Sequence, residues 1–313
     1  MRAISILGLT LLAGCTGFNS PSGINKAQPE TYYDYHLYNG NGQPLSESRT
    51  IEELSQFDVV LVGEWHTHPA IHSFQTRLLQ QLHEESPDWA LSMEQFSRDK
   101  QSTLDDYLAG NIGEQTLISK ANGWPNYESD YRPLIEYAKA QQLDVIAANA
   151  PKPIVRCIGQ KGLPWLDTLP ANKREQVAIN IDTSDTPYKE KFMASLHHGK
   201  PEDNINNYAA QVTWDETMAE SITLYLNKES GSKVLHIAGK FHTEEGLGIA
   251  ASIKRIRPET SIAVITPVET VSHDSPDYQL HVLTPPVRYV KKDNKIKAIH
   301  KIMERKKDNT CNL

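Results

Sequence analysis

An acid and three histidines, Glu64, His66, His68 and His72, fall within nine residues and follow directly on a short uncharged run, Val59-Val60-Leu61-Val62. A β-branched run of that kind fills a strand buried on both faces. Gly63 is expected to stop it, which leaves the acid and the histidines at the strand's carboxyl end, where open α/β sheets bind their ligands. Carboxylates and imidazoles at such an edge can ligate a transition metal. They can equally hold a histidine poised to take a proton from water while a carboxylate orients it. One histidine alone could merely cap the next helix or face water; the grouping is what marks a candidate site. Three later strand ends offer further groups: Glu94, Asn149 and His242. Spacing alone does not choose between the two chemistries.

Those groups must be positioned by strands, and the chain supplies an alternating run at 32–38 and further strand signals at 59–62, 90–93, 144–148, 233–238, 262–266 and 279–283. The segments at 48–57, 73–85, 99–108, 112–121 and 131–140 have helical spacing, and Pro69 favours the start of the helix that carries His72 and Gln75. Asn39-Gly40-Asn41-Gly42 signals a turn and a first hairpin. From about 153 to 227 no strand pattern is seen, so this stretch reads as a helical insertion. The alternation predicts an α/β fold: a largely parallel central sheet flanked by helices on both faces, as one main domain over 31–290.

The ends of the chain are of another character. Arg2 precedes an apolar run at 3–12 that is too short to span a bilayer, and Leu12-Ala13-Gly14-Cys15 then resembles a bacterial lipobox. Residues 1–14 are therefore expected to be a lipoprotein signal peptide, with Cys15 lipidated by acyl chains, palmitate among them. Residues 15–30 would be a flexible tether. Thr16 stands where aspartate would imply inner-membrane retention, so the expected location is the outer membrane, lipid-anchored on the periplasmic side. Whether Cys157 and Cys311 pair is left open. The tail at 291–313 carries eight basic residues against three acidic ones and reads as a solvated helix or frayed end.

Several classes are unsupported. A net charge of −7 and a pI near 6.0 argue against a nucleic-acid partner. GxSxG, Walker and GxGxxG motifs are absent, and no CxxCH provides covalent haem attachment.

Taken in order, Gly63-Glu64-Trp65-His66 with His72 and Gln75, Glu94, Gly123-Trp124-Pro125 with Tyr131 and Pro133, Gln211, Asp215, Met218 and Ala219, and Gly239 with His242 resemble the ChaN-like haem-binding lipoproteins. The resemblance covers most of the chain after about Asp58. That family shares its fold with erythromycin esterases and the Tiki/TraB proteins, whose catalytic or metal-binding motif corresponds here to Glu64, His66, Glu94 and His242. The resemblance implies a part in iron or haem uptake, with haem as cofactor and homodimers that hold paired haems with a tyrosine on each iron. Phenolate is a hard anionic donor suited to ferric iron. Tyr188 is the first choice for that ligand and Tyr131 the second, with Lys189, Lys191, His197 and His198 near enough in sequence to meet haem propionates. Two enzymatic alternatives stay open: an erythromycin-esterase-type hydrolase with His66 as base, and a metal-dependent peptidase with the same four residues as ligands.

Overall fold

Side-chain alternation divides residues 59–62 between two cores. Val60 and Val62 pack on one face of a central sheet, and Val59 and Leu61 on the other; this is how a strand buried on both sides must be built. The computed structural model describes residues 28–196, 201–308 and 311, with the backbone alone at 201–203 and 302–308. The expected signal peptide, Cys15 and the pair His197 and His198 lie outside the described residues.

The sheet contains β1 (Tyr35–Tyr38), β2 (Val59–Glu64), β3 (Trp89–Ser97), β4 (Val145–Asn149), β5 (Lys233–Gly239), β6 (Ile262–Val268) and β7 (Tyr278–Val282). Its order is β1-β7-β6-β2-β5-β3-β4, parallel throughout except for the β1–β7 pair. One face is covered by α1 (Glu47–Leu54), α2 (Pro69–Glu85), α3 (Gln101–Leu108), α4 (Glu114–Lys120) and α5 (Arg132–Gln141), through Leu54, Leu78, Leu104, Leu117 and Leu134. After β4 come α6 (Lys152–Lys161), α7 (Ala171–Arg174), α8 (Pro187–Ser195) and α9 (Pro201–Lys228). No strand interrupts this run among the described residues. The last turns of α9 lay Met218 and Ile222 on the second face, beside Ile249 and Ile253 of α11 (Ile249–Ile256). The helical stretch is thus a crossover that also roofs the sheet. Between β5 and α11 lies the single turn α10 (Lys240–Thr243), and α12 (Lys292–Asp308) forms the basic tail.

Three local departures from expectation have physical causes. Gly63 does not end β2: it pairs with Ala238, and Glu64 with Gly239. A Cβ on Gly63 would lie 2.6 Å from Thr243 Oγ1 and 3.3 Å from Lys240 Cα, so the glycine admits α10 rather than breaking the strand. Strand β3 follows β5 in regular register to Met93 and then shifts against β4 before Ser97. Such an irregularity re-aims side chains, here Glu94 and Gln95. The turn at 39–42 forms, but the hairpin shrinks to one bridge from Tyr38 to Pro44. Proline has no N–H for a ladder, Ser46 caps α1 two residues on, and β1 pairs with β7 instead. Beyond α12, Cys311 forms a disulfide with Cys157 of α6, with 4.9 Å between their Cα atoms.

Candidate functional site

Glu64 is the last residue of β2 and is buried, yet its carboxylate is fully occupied. Oε1 accepts from Tyr131 Oη at 2.6 Å, His66 Nδ1 at 2.8 Å and Gln95 Nε2 at 3.1 Å, and Oε2 accepts from Gln75 Nε2 at 2.8 Å. Burial would push its proton affinity up; the hydrogen bond from His66 and the charges of His72 and His66, with help from Tyr131, outweigh it and hold Glu64 below the usual carboxylate range. An ionised carboxylate only accepts, so His66 Nδ1 carries a proton and Nε2 is the working end of the ring. The side chain of His66 is 45% exposed. Desolvation lowers its basicity, but the Glu64 hydrogen bond and the charges of Glu94 and Glu64 raise it on balance.

His72 braces this group. Its Nδ1 meets Gln75 Oε1 at 3.0 Å and its Nε2 meets the His66 carbonyl at 3.2 Å. His68 turns elsewhere: its Nε2 bonds the Leu283 carbonyl at 3.0 Å, while its buried Nδ1 meets no partner among the described residues.

The second half of the cluster comes from β3, α9 and α10. Glu94 Oε2 accepts the Gly239 N–H at 2.6 Å, its Oε1 lies 3.9 Å from His242 Nε2, and Asn149 supports its carbonyl at 3.0 Å. His242 Nδ1 bonds Asp215 Oδ1 at 2.7 Å, and Asp215 Oδ2 accepts from Tyr188 Oη at 2.9 Å. Gln211 Nε2 lies 3.0 Å from that phenol oxygen and 3.1 Å from His242 Nδ1. Burial works against a charged His242, but Asp215, with Glu94 beyond it, raises its pKa to about 9. Gly239 joins the halves, for a Cβ there would lie 2.8 Å from His66 Cε1 and 3.6 Å from Glu94 Oε2. The structure therefore brings Glu64, His66, Glu94 and His242 together.

It does not support the expected haem set. Tyr188 is 4% exposed and Tyr131 fully buried. Each is a donor to a carboxylate, and burial next to Asp215 and Glu64 pushes both phenols far above their ordinary range, the opposite of what a phenolate ligand needs. Lys189 is held by Asp185 at 2.7 Å and the Thr183 carbonyl at 3.2 Å. The two tyrosine contacts join residues distant in sequence, and their burial is not revealed by helical spacing. Nor do the four strand-end residues make a metal centre: among the described residues no three His, Cys, Asp or Glu are grouped to hold a metal ion. Glu64 spends its lone pairs on four donors.

His66 and His242 line two cavities. One, of about 740 Å³, opens toward Trp124 and Trp214, whose rings stand 4.9 Å from His66 and 6.2 Å from His242. The other, of about 910 Å³, is walled by Tyr32, Trp65 and Phe241, with Lys240 and Arg288 at its edge. Sequence reasoning assigned none of these five a role in the site, though Trp65 stands in the Gly63-Glu64-Trp65-His66 motif. Tyr32 and Arg288 come from opposite ends of the domain, brought together by the β1–β7 pairing and by the bond from Tyr32 Oη to the Thr284 carbonyl at 3.0 Å.

Comparison with known proteins places this geometry. The family model described as haem-binding uptake, Tiki superfamily, ChaN matches residues 50–253. A structure of cofacial heme binding to ChaN of Campylobacter jejuni superposes with a TM-score of 0.64 at 18% identity, covering 80% of this chain and 98% of that one. A structure of an erythromycin esterase EreC mutant in its open conformation gives 0.45 at 15% identity over 86% and 87% of the two chains. The Arabidopsis thaliana Protein RETICULATA-RELATED 5, chloroplastic, is 25% identical over 248 residues, 72% of this chain, and the chain spans 33% of that relative's length.

Proposed function

Because the chain belongs to the ChaN family of haem-binding uptake proteins in the Tiki superfamily, we propose that it binds haem in the 910 Å³ cavity and serves iron or haem uptake. The observation that carries this reading is the cavity's lining. A haem is a flat apolar ring with two carboxylates, and here three aromatic side chains face a common space edged by two cations. The volume falls within the roughly 300–1,000 Å³ of small-molecule sites. Arg288 suits a propionate, with a guanidinium fork that can hold a carboxylate through two bonds, whereas Lys240 is paired with Glu244 of the same lining at 3.3 Å.

Tyr32 replaces Tyr188 and Tyr131 as the candidate iron ligand. It lines the cavity, is 39% exposed and gives its hydroxyl only to a backbone carbonyl. The ring of His68 stands 5.5 Å from that of Tyr32, with its buried Nδ1 meeting no partner among the described residues. The bound group would supply a ferric centre; the protein's part is to hold and orient it. Homodimerisation on haem binding, attachment to the outer membrane through lipidated Cys15 and a periplasmic location belong to the same proposal. The Cys157–Cys311 disulfide supports an oxidising compartment, and no helix among the described residues is long and apolar enough to cross a membrane.

Titration of the purified protein with haemin tests the reading. A shifted Soret band, the charge-transfer bands of a phenolate and a doubled mass in light scattering are expected. Tyr32→Phe should lose the phenolate bands, whereas Tyr188→Phe should keep them. An unshifted Soret band in the wild-type protein would rule haem out.

A hydrolytic reading, of the erythromycin-esterase type, draws on one observation of its own: Glu64 holds His66 by Nδ1 and presents Nε2 to both cavities. That is the arrangement of an oriented general base.

A further inference from the structure

The 740 Å³ cavity is not needed for haem, and its lining differs in kind. Gln95 is 4% exposed and donates from Nε2 to Glu64, which fixes the amide's orientation; its Oε1 then has no partner among the described residues. A buried acceptor left empty calls for a donor from outside the protein. Trp124 and Trp214 flank His66 and His242. Lys152 and Lys173 also line the space, and neither has a carboxylate within ion-pair distance among the described residues. Of the two carboxylates that share the lining, Asp99 is engaged by Lys100 at 3.3 Å and Ser97 at 2.6 Å, while Glu94 accepts the Gly239 N–H through Oε2 and holds Oε1 3.9 Å from the protonated His242. Beyond His66 Nε2 and the Glu94–His242 pair, the cavity offers two cations, two indole rings and one acceptor.

We propose that this cavity binds an acidic saccharide. A pyranose ring has C–H faces that lie against the negative face of an indole, its hydroxyls supply the donor that Gln95 Oε1 lacks, and a carboxylate or other anionic substituent meets Lys152 and Lys173. An anion without a ring would leave the tryptophans unused. A neutral sugar would leave the lysines unmatched. The site is distinct from the haem cavity and stands whether or not haem binds.

The test is a titration of the intact protein with a galacturonate trisaccharide, using maltotriose as the neutral control, followed by tryptophan fluorescence and thermal shift. The acidic sugar should change the fluorescence and raise the melting temperature; maltotriose should do so at least tenfold more weakly. Lys152→Ala/Lys173→Ala should weaken the acidic sugar at least tenfold. Gln95→Glu, which keeps an acceptor but adds repulsion, should weaken it as well. The double lysine variant should titrate with haemin as the wild type does, which separates this outcome from that of the haem cavity. Equal response to both sugars, no response to either, or unchanged affinity in the double lysine variant would overturn the proposal.

Discussion

At the scale of single residues, the telling group is His242, a histidine buried against a carboxylate. Its pKa is raised from an ordinary 6.5 to about 9, so the folded protein holds a proton that the unfolded chain releases between those values. The stabilisation this gives is complete below about pH 6.5 and is lost as pH rises through about 9. Thermal melts across pH 6 to 10 should therefore show stability falling over that window. In Asp215→Asn the charge that holds the proton is gone, and this part of the decline should vanish. An identical decline in both proteins would show that another group titrates. Tyr188→Phe acts on the same pair by removing a donor from a buried carboxylate, which should cost about 1–3 kcal/mol in denaturant unfolding. The four strand-end residues were legible because each follows an apolar run. The supporting shell was not: nothing local marks Tyr131, 67 positions from Glu64, as its partner, and Tyr188 reads as readily as a ligand as a donor until its burial is known.

At the scale of elements, all seven strands overlap the segments expected for them, the inner ones because a strand buried on both faces has few ways to be polar, while the edge strand β1 covers only 35–38 of the expected 32–38. Their ends were less legible. Gly63 reads as a terminator, and Glu94 as the first residue past a strand, because neither α10's approach nor β3's shift against β4 leaves a local trace in the sequence. The close approach gives a direct test. In Gly63→Ala the new methyl would meet Thr243 Oγ1 and the α10 backbone, so either β2 or α10 must move. A loss of roughly 1–3 kcal/mol is expected, the usual cost of overpacking, and His242, carried on α10, should lose its elevated pKa in NMR titration. A variant as stable as the wild type, with His242 still titrating near 9, would mean that α10 yields without consequence for the site.

At the scale of the whole molecule, the two ends of the chain act differently on the domain between them. If Cys15 carries the lipid, Cys15→Ser should move the protein from the membrane fraction to the soluble one. Continued membrane retention would reject the anchor. The other end is tied back: Cys311, beyond an exposed basic helix, is bonded to Cys157 on α6, closing a loop across a separation of 154 residues. That loop contains β5, β6 and β7 as well as α7 to α12, so the cross-link restricts the unfolded chain over about half its length. By the loop-entropy argument, and with the usual shortfall in practice, its removal should cost about 2–5 kcal/mol. Cys157 is buried on α6, so the substitution itself adds a packing penalty at that position, whereas Cys311→Ser alters only the half-exposed partner. The clean comparison is therefore Cys311→Ser with and without reductant, against wild type with and without reductant. Wild type should lose stability on reduction and meet the variant, which should not respond. If reduction leaves the wild type unchanged, the tail contributes nothing to the fold, and the basic helix is free of α6 in solution.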